Sequence, residues 1–202
     1  MPSAPGRSSP RVPGLALSYG GAGADAPDLV APGAALLSSW NRLRPLPGGR
    51  RLFSLLIGRQ APYSGSIGAI VRELEPGRAV LTLADRRSVR NHLNSVHAVA
   101  LTNLGELSSG LALLTDLPAG SQGIVTGISV EFSKKARGLL TATGSAAAPG
   151  LAELAAGEVE CIARAEIADA ENDMVAGVRV RWRIRLKDTG GAATLPGVAR
   201  PR

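Results

Sequence analysis

The chain has 202 residues, 45% of them hydrophobic, and a formal net charge of +7, which suits one globular domain with tails and excludes disorder throughout. Aromatics are 3%, too sparse for a platform that stacks single-stranded nucleic acid. One cysteine, Cys161, excludes an internal disulfide, and with only two histidines, His92 and His97, no Cys- or His-built metal site is expected.

Residues 1–33 are rich in Pro, Gly, Ala and Ser without a sustained period, and read as a disordered tail. Arg7 and Arg11 precede an apolar patch at 15–17 that is too short for a signal-peptide core. Residues 189–202 read as a flexible tail, which leaves 34–188 as the folded unit. Within it, Leu36, Leu37, Trp40 and Leu43 follow helical spacing, and 51–57 gives a second short helix. Pro62-Tyr63-Ser64-Gly65 reads as a break before a strand at 67–74. Glu75-Pro76-Gly77 is a turn, and 78–83 is the returning strand. A polar loop follows at 85–94.

Residues from His97 to about Thr115 form one long helix, ~28 Å at 1.5 Å per residue, capped by Asn94 or Ser95 and stopped by Pro118 and Gly120. Four strands follow, at 123–132, 139–147, 158–169 and 175–186. Two strands, one long helix and four strands predict an α+β design, an antiparallel sheet wrapped around one long central helix. The span 96–114 lacks Lys and Arg, but His97, Asn103, Glu106, Ser108 and Ser109 make it a buried helix rather than a membrane span. A cytoplasmic protein with no membrane partner is expected.

The long helix is apolar nearly all round, with Ala98, Val99, Leu101, Leu104, Leu107 and Leu111 covering much of its circumference. Gly105 and Gly110 suit close approach of strands. Glu106 is the anomaly, because a charged carboxylate in a core is costly unless paired. With Thr102, Asn103 and Ser109 it also makes a polar stripe that fits solvent or a subunit seam, so a functional and a structural Glu106 both stand. His97 sits at the positive end of the helix dipole, which favours a neutral ring. The first-turn N–H groups of Ala98 and Val99 are open to an oxyanion.

Further on, Val178, Val180, Trp182, Ile184 and Leu186 alternate with Arg179, Arg181, Arg183 and Arg185. A nucleic-acid stripe is one reading. Pairing with Glu158, Glu160 and Glu166 across a hairpin at 170–173 is the favoured one, which makes nucleic acid an unlikely partner. Lys134, Lys135 and Arg137 form a second basic cluster, read as a solvated turn.

The stretch NHLNSVHAVALTNLGELSSGLAL resembles the signature of hotdog-fold acyl-CoA thioesterases, notably the phenylacetate-pathway branch. That branch carries an Asn, then five residues, then His-Gly-Gly, and an Asp nine residues after the His. Here Asn91, His97 and Glu106 keep the spacing. ISVEFSKKARGLLTA is similar to the strand, turn and strand after the family's helix, and SSWNRLRPLPGGRRLFSLLIGRQAPYSG to an uncharacterised subfamily with a helical N-terminal extension. The resemblance covers about 66–186 and implies hydrolysis of acyl-CoA thioesters. Glu106 is then general base or nucleophile, and Asn91 orients the attacking water or the carbonyl. The Ala98 N–H is the oxyanion donor, and His97 holds that turn. It also implies a homodimer or higher oligomer with sites shared across the interface, no metal, and no cofactor beyond the coenzyme A of the substrate. Glu106 replaces the usual Asp, and His-Ala-Val replaces His-Gly-Gly, so Val99 narrows the passage. A non-catalytic hotdog module that binds acyl thioesters is the alternative.

Overall fold

The computed structural model describes residues 31–187; the tail read at 189–202 and all but the last three residues of the tail read at 1–33 lie outside the described residues, and Pro32 and Gly33 belong to the first helix rather than to a tail. The order of elements is α1 (Pro32–Leu43), α2 (Gly49–Gln60), α3 (Pro62–Ser66), β1 (Ile70–Glu75), β2 (Arg78–Ala84), α4 (Ala98–Asp116), β3 (Ser121–Phe132), β4 (Leu139–Ser145), α5 (Leu151–Ala156), β5 (Val159–Ala168) and β6 (Met174–Leu186). All six strands form one antiparallel sheet in the order β1-β2-β4-β5-β6-β3. The predicted sequence of strands around one helix is the observed one.

Two expectations fail locally. Pro62-Tyr63-Ser64-Gly65 is not a break but α3, because a proline suits the first turn of a helix, where its missing N–H costs nothing. The first strand therefore starts at Ile70 rather than at 67. The short helix α5 was not foreseen.

The alternation read in the last strand is real. Val178, Val180, Trp182 and Ile184 are buried on the face turned to α4, while Arg179, Arg181, Arg183 and Arg185 are exposed on the other. At the β1–β2 hairpin Pro76 and Gly77 turn the chain, with Gly77 at φ 74°. At the far side, Asn172 at φ 65° and a bond from the Asp169 N–H to the Asp173 carbonyl, 3.1 Å, close the hairpin between β5 and β6.

Helix α4 lies across β2, β4, β5 and β6, and α1 to α3 cover its flank near β1. By length and composition alone α4 could cross a membrane, but 67% of that stretch is buried inside the protein, so it is the core helix. Trp40 of α1 and Phe53 of α2 meet edge to face, 5.1 Å between centroids, and seal the same core. Glycines let the helix sit this close. A Cβ at Gly105 would strike the Val178 side chain, and one at Gly144 of β4 would strike the Ser108 backbone. Gly144→Ala is thus expected to lose about 1–3 kcal/mol of stability by overpacking, since the obstacle is backbone that cannot rotate away. Urea denaturation checks this.

Candidate active site

The start of α4 is built by its own loop. The cap is His97, not Asn94 or Ser95. Asn94 is at φ 50°, and the Ser95 hydroxyl is spent on the Ala136 carbonyl, 3.0 Å. The Val99 N–H donates to His97 Nδ1, 3.1 Å, so the His97 ring serves this turn as an acceptor. The His97 N–H in turn donates to the Val89 carbonyl, 2.8 Å. The two open N–H groups expected from sequence thus reduce to one. Val99 is occupied, and Ala98 holds the first helical position, where an N–H has no acceptor within the helix.

Asn91 organises the loop before this turn. Its Oδ1 accepts from the N–H groups of Leu93, 2.9 Å, and Ser95, 3.2 Å, and its own N–H donates to the Ser95 carbonyl, 2.8 Å. With the amide oxygen engaged, Nδ2 is the group left for a ligand, and it is a donor. It suits a carbonyl oxygen better than it suits extraction of a proton from water.

Glu106 is half-buried, and it has no ion pair or hydrogen-bonded side-chain partner among the described residues. Burial pushes its carboxyl above the ordinary carboxylate range. The polar stripe around it divides. Ser109 and Asn103 are buried, with the Ser109 hydroxyl on the Gly105 carbonyl, 2.8 Å, and Asn103 Nδ2 on the Tyr63 carbonyl of α3, 3.2 Å. Asn103 thus ties α3 to α4, a role that the sequence signalled only as one more polar residue in an apolar helix. Val99, expected in the buried circumference, is 51% exposed.

Within one copy these groups do not converge. Ala98 and Glu106 are eight positions apart on α4, about 12 Å along the axis. β3 is one edge of the sheet, next to β6, and β1 is the other. Val125, Ile128 and Phe132 pair with Trp182, Val180 and Ala176, so they share the helix-side face, yet they remain exposed. An open edge and an uncovered apolar strip thus coincide on the helix-side face at β3.

The outer face of the sheet corrects the expected charge pairing. Only Glu160 stands directly opposite an arginine, Arg183; Ile162 faces Arg181, Arg164 faces Arg179, and Glu166 faces Gly177. The ion pairs that form, Arg183–Glu158 at 3.8 Å and Arg179–Glu131 at 4.0 Å, are long and exposed. The second basic cluster also splits. Lys134 is held by Asp169 at 2.6 Å and Asp173 at 2.7 Å and locks the β5–β6 hairpin to the end of β3, while Lys135 is exposed.

Solved structures share this architecture. The structural-genomics protein APC5556 is 27% identical with a TM-score of 0.63, over 75% of this chain and 97% of its own. The Pseudomonas aeruginosa protein PA5026, described as of unknown function and a probable thioesterase, is 23% identical with a TM-score of 0.59, over 70% of this chain and 97% of its own. A hypothetical thioesterase from Streptococcus pneumoniae, solved with coenzyme A, is 18% identical with a TM-score of 0.53, over 64% of this chain and 98% of its own. No curated protein matches the sequence. The sheet wrapped on α4 is the hotdog fold of these thioesterase-family neighbours, preceded by the helical extension α1 to α3. Residues 49–184 match the domain of unknown function DUF4442, and the chain belongs to that family.

Proposed function

We propose that this protein hydrolyses acyl-CoA thioesters as a homodimer, each site taking Glu106 from one copy and Asn91, His97 and Ala98 from the other. The observation that carries this is the pairing of two unfilled groups. One is an N–H with no acceptor at the positive end of α4, and the other is an unpartnered, half-buried carboxylate on the same helix. A thioester carbonyl needs both, and a 12 Å offset, approximately, keeps them apart in one chain. A second copy docked on the β3 edge brings the Glu106 of one copy toward the Ala98 of the other and covers Val125, Ile128 and Phe132. The coenzyme A bound to the Streptococcus pneumoniae neighbour supports the ligand class, and such substrates suit a cytoplasmic protein.

In this reading the Glu106 carboxylate takes a proton from water as the water oxygen bonds to the thioester carbon. The Ala98 N–H holds the oxygen that becomes negative, with Asn91 Nδ2 beside it. Collapse breaks the carbon–sulfur bond, and the proton passes from Glu106 to the departing sulfur. His97 keeps the turn in shape by holding the Val99 N–H. Attack by Glu106 itself, through an anhydride that water opens, uses the same residues.

A panel of acyl-CoA thioesters, followed by thiol release, tests the reaction. Sedimentation at micromolar concentration tests the assembly and is expected to give a dimer or larger species. A clean monomer removes the shared site. Binding of acyl-CoA without any hydrolysis gives the protein to the non-catalytic reading, which the exposed Val99 beside the oxyanion donor favours.

A further inference from the structure

A second concave site lies in the helical extension. A groove of about 600 Å³ opens between α2, α3 and the start of β1. Its walls are apolar where Leu55, Ile57, Ala69, Ile70, Val71 and Leu107 reach it. Its cations are Arg51, Arg59 and Arg86, and no carboxylate lines it. None of the three arginines makes an ion pair among the described residues. Two of its walls, α2 and α3, touch through glycines, where a Cβ at Gly65 would meet the Gly58 backbone at 2.5 Å.

Two contacts tie this groove to α4, the helix that carries Glu106. Leu107, the neighbour of Glu106, is half-buried and lines the groove from α4. Asn103, one turn earlier, holds the Tyr63 carbonyl and so fixes α3, the groove's wall, against that same helix. At the other end, Arg86 Nη2 donates to the Ile67 carbonyl, 2.6 Å, which sets its guanidinium at the entry to β1. Arg51, Leu55 and Arg59 are spaced four apart and share one face of α2 over about 12 Å.

We propose that this groove seats the distal end of the acyl group, and that the preferred substrates are thioesters whose aliphatic chain ends in a carboxylate. The inference rests on the thioesterase reading above. An aliphatic chain matches the apolar walls, and no aromatic ring lines the groove to stack a nucleotide base. A terminal carboxylate matches three arginines that lack ionic partners, and guanidinium–carboxylate bonds are the strong, oriented kind.

The test is equilibrium binding by calorimetry of two non-hydrolysable thioether analogues, of octanoyl-CoA and of octanedioyl-CoA, which differ only in the end group. The octanedioyl analogue is expected to bind wild type about tenfold or more tightly than the octanoyl analogue. Arg51→Ala with Arg59→Ala is expected to remove that advantage and leave the octanoyl analogue unchanged, and the matching pair of lysine substitutions to restore part of it. Arg86 is spared because it supports the Ile67 carbonyl. Equal binding of the two analogues, or a preference that survives the double substitution, overturns the proposal. So does tight binding of free octanoate without preference between the analogues, which assigns the groove to a free fatty acid. Failure of the thioesterase reading is seen separately, as absence of thiol release from any acyl-CoA, and does not alter the binding comparison.

Discussion

Glu106→Gln is expected to lower acyl-CoA turnover by about 100-fold or more while acyl-CoA affinity stays near that of wild type. The amide keeps the shape of the side chain and loses the ability to take a proton. The same substitution is expected to raise stability at neutral pH. Burial lifts the Glu106 carboxyl above its ordinary range, with no partner to offset the lost hydration. The folded chain therefore holds that proton more tightly than the unfolded chain does. Stability is lost as pH rises from the ordinary glutamate value through the raised folded value, so at neutral pH the wild type carries an ionised group that its surroundings disfavour. Gln carries none. A raised Tm with collapsed turnover marks a residue kept for chemistry. The acid limb of kcat/KM should likewise lie above the ordinary carboxylate range, because the base must be ionised. Unchanged turnover would make Glu106 structural and end the proposed mechanism.

What the sequence carried was periodicity and spacing. The apolar and arginine alternation of β6, the length of α4 and the Pro76-Gly77 turn each follow from local chemistry, and each is present. What it did not carry depends on where distant residues go. Ser95 has the side chain of a cap, but its hydroxyl meets the Ala136 carbonyl brought in from the β3–β4 connection, and His97 caps instead. Pro62 and Gly65 read as punctuation, yet the contact of Gly65 with Gly58 makes them a helix packed on α2. The glutamates of β5 alternate as the arginines of β6 do, but the register puts Ile162 and Arg164 opposite Arg181 and Arg179. Alternation fixes the face of a strand, not its partner. In the candidate site, Asn91, His97 and Glu106 were legible as a spacing. The occupied Oδ1 of Asn91 and the occupied N–H of Val99 were not, since both depend on how the 91–99 loop closes on itself.

Ala98→Pro isolates the oxyanion donor. The first position of a helix accepts proline readily, because its N–H has no helical acceptor and its φ is already suitable. His97, at ψ 141°, is already in the extended conformation that a following proline requires. The fold should therefore survive, and the loss should fall on the N–H alone, at about 10²–10³-fold in kcat. Normal turnover in a folded Ala98→Pro protein would place the oxyanion elsewhere. Combining the two variants tests the shared site. If one site draws Glu106 from one copy and Ala98 from its partner, a heterodimer of Glu106→Gln with Ala98→Pro gathers both defects into one site and leaves the other intact. Random co-assembly of two inactive proteins is then expected to recover about a quarter of wild-type activity, as two-fold symmetry dictates. If both groups served the same site from one chain, every site in the mixture would carry one defect, and no activity would return.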